Sequence, residues 1–559
     1  MDNMIIRHRI DPRRAYLQAN SAAYETLVLS ARACWKKGDV EETLHAVSKA
    51  AAFACTFHPG RFADGALESI VLDIARRLPK TEAKVRPISK TVADKRRKVL
   101  HVASHVLRVG GHTRMLHHWV QHDVESCHSL IVTDQRARDI PKWLLTAIQE
   151  SGGEIIVCSH AWSQMQRAAM VREVAHRFAD IIILHHDAGD VVPILAFAEE
   201  GGAPVAVLNH ADHLFWLGSS VADTVVSLRS KGERNSIARR FAKRSFVLPI
   251  PLFLSAKILP RAEARRILGI PLGATVILSV GRAIKYLPCG DHNFMATIDK
   301  IIKSNNDAQV YIVGVAETEI LPYLKCALND RIHLLGEVED PALYRSAADI
   351  YVESFPFGSN TALLEAALCA LPVVPAYAPL SELLVAGNDA LSEVLPTPLT
   401  EDAYIDRVNE LIRCPALRCE FGQMLRDRLC SEHVGDGWGR KLEQFYKHMG
   451  ALHHEAKVIL ETKCEYEPDD IGLSWWNIMA DGKTNRFDKD GKVILSWLRH
   501  SAFVEKYVGN YGRAQRFAIE ALLNGVHDPA SWRLFFASLI GALRSASTWA
   551  FVRIKPKLG

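Results

Sequence analysis

Short, near-continuously apolar runs rich in valine and isoleucine, each separated from the next by a stretch of helical periodicity, fill the middle of this chain. They constrain its fold more than any other feature. The first series is Val99–Ala103, Ser129–Thr133, Ile155–Cys158, Ile181–Leu184, Val205–Leu208 and Thr224–Ser227. The second is Val276–Val280, Val310–Val313, Ile332–Leu335, Ile350–Val352 and Val373–Val374. Strands buried on both faces need such runs, and their alternation with helices specifies parallel sheets covered on each side. Between the two series lies a segment, residues 248–273, punctuated by Pro249, Pro251, Pro260 and Pro271, the natural interdomain linker. The expectation is an α/β chain with two doubly wound, Rossmann-like domains facing a cleft, one over residues 96–255 and one over 256–450.

The ends read differently. Leu27, Val28, Ala31, Cys34 and Trp35 recur at helical spacing, and Gly38-Asp39 followed by Val40–Leu44, with small Ala50 and Ala51 later, has the turn-then-helix form of a tetratricopeptide hairpin. An ordinary helical hairpin reads equally well. Gly509–Ala514 with Ala521 and Leu522 repeats the pattern near the C-terminus. Helical modules are therefore expected over 1–95 and 451–559. About three such repeats are normally needed to stand alone, so single units should pack on the larger body, and helical modules of this kind can bind a protein partner. The segment 80–98 is a second expected linker.

Composition narrows the function classes. With 48% hydrophobic and 23% charged residues the chain is globular, and 68 basic against 63 acidic residues leave a formal charge of only +5, too balanced for a dedicated nucleic-acid binder. Eleven cysteines with no C-x-x-C spacing fit a reducing, cytoplasmic setting. The N-terminal residues lack the apolar region of a signal peptide, and no run is apolar for the ~20 residues that a bilayer crossing needs. Basic runs at Lys95–Lys98 and Arg234–Arg244 are candidates for peripheral contact with an anionic membrane, or simply solvated faces.

In open α/β sheets ligands bind beyond the carboxyl ends of the strands. After Val99–Ala103 comes Ser104–Arg114, where Gly110 and Gly111 let the backbone approach a ligand and a helix begins near His112, its N-terminus suited to an anion. After Ile350–Val352 comes Glu353–Thr361, a turn whose free amides and hydroxyls at Ser359, Asn360 and Thr361 suit a diphosphate, with Glu365 one turn further on to accept hydrogen bonds from ribose hydroxyls. N-capping is the plainer role for those three residues. Arg282 and Lys285 follow the first strand of the same half, where two cations would neutralise a leaving diphosphate.

Gly281-Arg282 with Lys285, the stretch Gly336–Phe355 and the helix-strand unit Leu363–Val374 resemble group 1 glycosyltransferases of the two-Rossmann-domain, or GT-B, type, over roughly residues 98–450. The resemblance implies that Arg282 and Lys285 bind pyrophosphate and that Glu365 binds ribose. It departs at Phe357, where the group 1 signature has a glutamate. The loop from Phe355 to Val374 is instead similar to that of the O-GlcNAc transferase family, which implies phosphate binding by Ser359, Asn360 and Thr361. One of the two families is largely retaining and the other inverting. His210, just past Val205–Leu208, falls where the group 1 family carries a sugar-contacting histidine. It is a candidate catalytic or sugar contact, with Asp212, His105 and His112 as competing bases. His185-His186-Asp187 hints at a metal, but adjacent residues of an extended chain face opposite ways, and GT-B enzymes generally neutralise the diphosphate without one, so neither metal nor cofactor is expected. The implied activity is transfer from a nucleoside-diphosphate sugar, most simply a UDP-sugar, to a hydroxyl of a glycan, lipid-linked glycan or protein, in bacterial glycan or glycoconjugate synthesis. A tetratricopeptide-containing interaction protein with an inactive transferase core is the competing reading. An epimerase on the same fold would need an acid pair, which has no evident place in the sequence.

Overall fold

The computed structural model describes residues 12–78, 95–108, 111–254, 259–288, 292–321, 324, 327–377, 379, 381–384, 389–459, 466–480, 502–507, 511–523 and 532–541. The first strand series forms one seven-stranded, all-parallel sheet: β1 (Arg97–Ala103), β2 (Ser126–Val132), β3 (Ile155–Val157), β4 (Ile181–His185), β5 (Val205–Asn209), β6 (Thr224–Ser227) and β7 (Ser245–Val247), in the order β3-β2-β1-β4-β5-β6-β7. The second forms a five-stranded, all-parallel sheet: β8 (Thr275–Val280), β9 (Ala308–Val313), β10 (Ile332–Leu334), β11 (Ile350–Val352) and β12 (Val373–Val374), in the order β10-β9-β8-β11-β12. Every predicted run is a strand. β7 was not legible, because Ser245–Val247 offers only Phe-Val after the basic run.

In both sheets the order reverses beside the first strand, between β1 and β4 and between β8 and β11. Such switch points open a crevice at the carboxyl edge. They place the loops after β1, β4, β8 and β11 at the two crevices, and these loops carry most of the candidate residues.

The two domains are tied by a returning helix. Gly435–Gly450 leaves the second domain and lays Trp438, Phe445 and Tyr446, all buried, against the first. Trp438 Nε1 donates to Pro249 O at 2.7 Å and Trp119 Nε1 to Tyr446 Oη at 2.9 Å. One apolar core accordingly runs from Val99 and Trp119 through β8, β9 and β11 to Met449.

The N-terminal helices Pro12–Lys36, Val40–Thr56 and Gly65–Ala75 share an apolar core with the opposite face of the first sheet. Asp39 caps the second helix by accepting from Glu42 N at 3.1 Å, after Gly38 at φ +79° makes the turn. Glu68, fully buried, accepts the backbone N–H groups of Gly218, Ser219 and Ser220 at 3.1, 3.3 and 2.7 Å. Helix Pro468–Ala480 reaches the same region, where Asp470 meets His58 at 2.8 Å and Arg239 at 3.0 Å. The chain's tail thus returns to its head. Gly509 and Asn510 of the second tetratricopeptide-like pattern, and most of the linker 80–98, lie outside the described residues.

One expectation needs correction here. Two arginines of the basic run 234–244 are internal: Arg239 is 7% exposed and holds Asp470, while Arg240 is fully buried and donates to the carbonyls of Phe62 and Leu214 at 2.7 and 2.6 Å. They are ties between modules, not a solvated face. Among the described residues no helix is long and apolar enough to cross a membrane.

Candidate active site

In the second domain, the turn after β8 and the loop after β11 meet. Lys285 ends a short 3-10 turn, Ala283–Lys285, and its Nζ donates to Gly358 O at 2.7 Å and Ser359 Oγ at 3.1 Å. The same ammonium lies 4.6 Å from the centre of the Phe357 ring, a favourable approach to the negative face of an aromatic. Phe357, the residue that departs from the group 1 signature, is therefore a platform for the cation. Burial pulls the Lys285 pKa down to about 8, against the opposing effect of Glu353. The approach is tight: a Cβ on Gly281 would come within 2.7 Å of Ser359 Oγ and 3.2 Å of Tyr286 Oη, so the Val-Gly-Arg glycine is a packing requirement. Arg282 is exposed beside them.

Ser359 precedes the helix Asn360–Leu368, whose first amides have no intrahelical partner. The expectation that Ser359 offers its amide needs correction. Ser359 N already donates to Glu353 Oε1 at 2.7 Å, and Ser354 N donates to the same oxygen at 3.1 Å. Glu353, fully buried with Oε2 unpartnered among the described residues, has its pKa raised to about 7, chiefly by that burial. It pins the loop that carries Ser359. Open to a diphosphate are the Ser359 hydroxyl with Lys285 behind it, and the start of the helix at Asn360 and Thr361. Sequence reasoning passed over Glu353, although a lone acid ending an apolar strand was a signal.

Glu365, one turn on, is only 22% exposed and is not waiting free. Arg345 NH1 lies 2.9 Å from Oε2, and Arg114 NH1, from the first domain, lies 3.7 Å from Oε1. Both arginines were missed: Arg345 is hidden in an ordinary helical stretch, and Arg114 acts across the cleft.

The first domain faces this loop. Gly111 opens the helix Gly111–His122 so close to the second domain that a Cβ there would sit 3.7 Å from Thr361 Oγ1; Gly110 lies outside the described residues. Other contacts span the cleft. His213 packs edge-on against Phe357 with ring centres 5.3 Å apart, and Ser230 N and Oγ donate to Asp389 Oδ2 at 2.8 and 2.7 Å. Next to Gly111, the His112 ring meets the His210 ring edge to face, 3.9 Å between centres. His210, His112, Gly111 and Thr361 thus follow one another across the cleft.

Of the candidate bases, one is corrected. Asp212 is nearly buried and accepts from Arg229 Nε at 2.8 Å, which holds its carboxyl far below the usual range despite burial; the carboxylate is committed to its ion pair and is not open to a substrate hydroxyl. His105 has its Nδ1 2.7 Å from Asp187 Oδ2, and that bond raises its pKa; a carboxylate on one ring nitrogen is how an imidazole base is oriented, so His105 keeps its place among the candidates. Burial holds His210 well below the ordinary histidine value and His112 at about 4, so both are neutral at pH 7 with a nitrogen lone pair to offer.

Nitrogens of His112, His185 and His210 also lie within 4.8 Å of one another, close enough to raise the question of a metal. His185 Nδ1 is engaged by His210 Nε2 at 3.3 Å, and among the described residues no carboxylate joins the three.

The sequence of the second domain, from β8 through the helix Glu401–Arg413, matches the family described as glycosyl transferases group 1 over residues 274–414. Residues 274–414 form a group 1 glycosyltransferase domain. The enzyme is a transferase, and its two Rossmann-like domains across a cleft are the GT-B arrangement. Similar solved structures include an O-GlcNAc transferase variant from Thermobaculum terrenum, at 16% identity and TM-score 0.46 over 79% of this chain and 85% of that one. Anabaena Alr3699/HepE in complex with UDP and glucose is similar at 17% identity and TM-score 0.44, over 64% of this chain and 100% of that one. Sucrose-phosphate synthase from Thermosynechococcus elongatus is similar at 15% identity and TM-score 0.44, over 64% and 100%. These likenesses concern the fold alone. No curated protein sequence matches the chain.

Proposed function

We propose that the enzyme transfers a sugar from a nucleoside-diphosphate sugar, most simply a UDP-sugar, to a hydroxyl of a glycan, lipid-linked glycan or protein acceptor. The observation that carries this reading is Lys285, a half-buried cation aimed at Ser359 Oγ at the start of the helix Asn360–Leu368. A desolvated ammonium next to open helix amides is costly unless an anion completes it. The diphosphate lies there, with Arg282 on its exposed side and Glu365 on the ribose.

In transfer, the acceptor oxygen gives its proton to His210 and attacks the anomeric carbon while the bond from that carbon to the β-phosphate oxygen breaks. The charge left on the diphosphate is met by Lys285, Arg282 and the helix N-terminus. A base contributes typically 10²–10⁴-fold. No step calls for a metal or a cofactor. The role in bacterial glycan or glycoconjugate synthesis, and peripheral contact with an anionic membrane through the remaining basic residues, belong to the same proposal.

The inactive-core reading rested on Phe357 replacing an acid. The Lys285–Phe357 stack favours activity, since the ring supports the cation. Release of UDP from a panel of UDP-sugars, with calorimetry using UDP, GDP and ADP, tests the proposal: saturable UDP binding with turnover supports it, and absence of binding by any of the three nucleotides overturns it.

A further inference from the structure

A row of buried imidazoles crosses the first sheet and ends at His210. His210 Nε2 is 3.3 Å from His185 Nδ1, His185 Nε2 is 2.9 Å from His101 Nδ1, and His101 Nε2 is 3.0 Å from His128 Nδ1. His128 Nε2 then lies 3.2 Å from Asp123 Oδ2, off the axis of a linear hydrogen bond and with no other partner among the described residues. Asp123 also accepts from Tyr446 Oη, which in turn accepts from Trp119 Nε1 at 2.9 Å. His101, His128 and His185 are at most 1% exposed. The register explains the row: on β1, His101 is paired with Leu130 and Ile183, so His128 and His185 sit two residues away on the neighbouring strands and on the same face.

A neutral imidazole has one donor and one acceptor, so such a row has a direction, and its ends decide which. Tryptophan only donates, which makes Tyr446 Oη accept from Trp119 and donate to Asp123. Asp123, paired with Tyr446 and His128 and held below the usual carboxylate range by them against burial, is an acceptor. With His128 neutral like its neighbours in the row, its Nε2–H faces Asp123 and its bare Nδ1 faces His101. The same choice passes on: His101 donates through Nε2 to His128, His185 through Nε2 to His101, and His210 through Nε2 to His185.

We propose that Asp123 and Tyr446, acting through His128, His101 and His185, are positioning residues that fix His210 as the Nε2–H tautomer, leaving Nδ1 as its proton acceptor. The inference rests on the reading of His210 as the base. It gives the returning helix Gly435–Gly450 a second role, since that helix supplies Tyr446. A base whose lone pair is committed before substrate arrives needs no tautomer exchange before each transfer.

The test reads the tautomer directly, in the full-length protein labelled with 15N-histidine, by solid-state 15N spectra, with His210 assigned by the signals lost in His210→Ala. A protonated Nε2 and a bare Nδ1 are expected. The opposite tautomer, an imidazolium, or a bound metal ion that leaves both His185 Nδ1 and His210 Nε2 bare overturns the proposal. Kinetics give a second readout. His101→Leu breaks the row and should lower kcat about 10–100-fold with the donor KM unchanged. His101→Gln, whose amide still accepts from His185 and donates to His128, should restore kcat to within about threefold. Equal losses in the two folded variants overturn the directional account. If the tautomer is as stated and His210→Ala retains full turnover, the reading of His210 as the base fails while the row stands.

Discussion

Replacing Lys285 with methionine should separate stability from function. The ammonium is half-buried and its pKa is pulled from 10.5 to about 8, so the folded state bears a cost on the order of 3 kcal/mol for keeping it charged at pH 7. Lys285→Met removes that cost and keeps the apolar stem over Phe357. It also leaves Gly358 O and Ser359 Oγ without their donor, each a loss of about 1–3 kcal/mol. Gain and loss are of similar size, so the melting temperature should move by only a few degrees. Turnover should not hold: the charge that builds on the leaving diphosphate loses its nearest cation, and removal of one such stabiliser costs about 10²–10³-fold, or roughly 2.7–4 kcal/mol. Differential scanning fluorimetry with UDP-release kinetics on one preparation reads both. A folded variant with wild-type turnover would refute the placement of the diphosphate, and a large fall in melting temperature would show that Lys285 is a structural tie.

Glu365→Gln, which keeps shape and loses the charge facing Arg345 and Arg114, should weaken UDP binding in a folded protein; unchanged calorimetric affinity would make this carboxylate a domain tie only. Gly281→Ala should push Ser359 Oγ away, given the 2.7 Å approach, and raise the donor KM more than it lowers kcat; an unchanged KM would contradict the tight packing. For Lys285, whose folded pKa of about 8 lies below its ordinary 10.5, kcat/KM for the donor should fall as pH rises through about 8. A flat profile to pH 9.5 would contradict it. Glu353, raised from 4.5 to about 7, binds its proton more tightly folded than unfolded, so it lowers stability progressively as pH rises from about 4.5 to about 7 and by a constant amount above. Glu353→Gln should flatten that part of a denaturant-midpoint series.

The fold was legible because a strand buried on both faces must be apolar along its whole length, and eleven of the twelve strands announce themselves that way. Residues that act on their own neighbourhood in the chain, such as Lys285 after β8 and Ser359 before its helix, were legible for a related reason: strand ends in a doubly wound sheet point at the crevice. What pairs with what was not. Arg114 and Glu365 are far apart in sequence and meet only across the cleft. Asp212 looked like a base until Arg229 was found on it. The histidine row hid in plain view among 24 histidines, because only the register of β1, β2 and β4 puts His101, His128 and His185 on one face.

The account stands most directly on His210. UDP release from a UDP-sugar in the presence of acceptor, measured for the wild type and for His210→Ala at matched UDP affinity, should fall by more than about tenfold, a ΔΔG‡ of roughly 1.4 kcal/mol or more, with the melting temperature held. A stable His210→Ala enzyme that turns over the donor at the wild-type rate would contradict it.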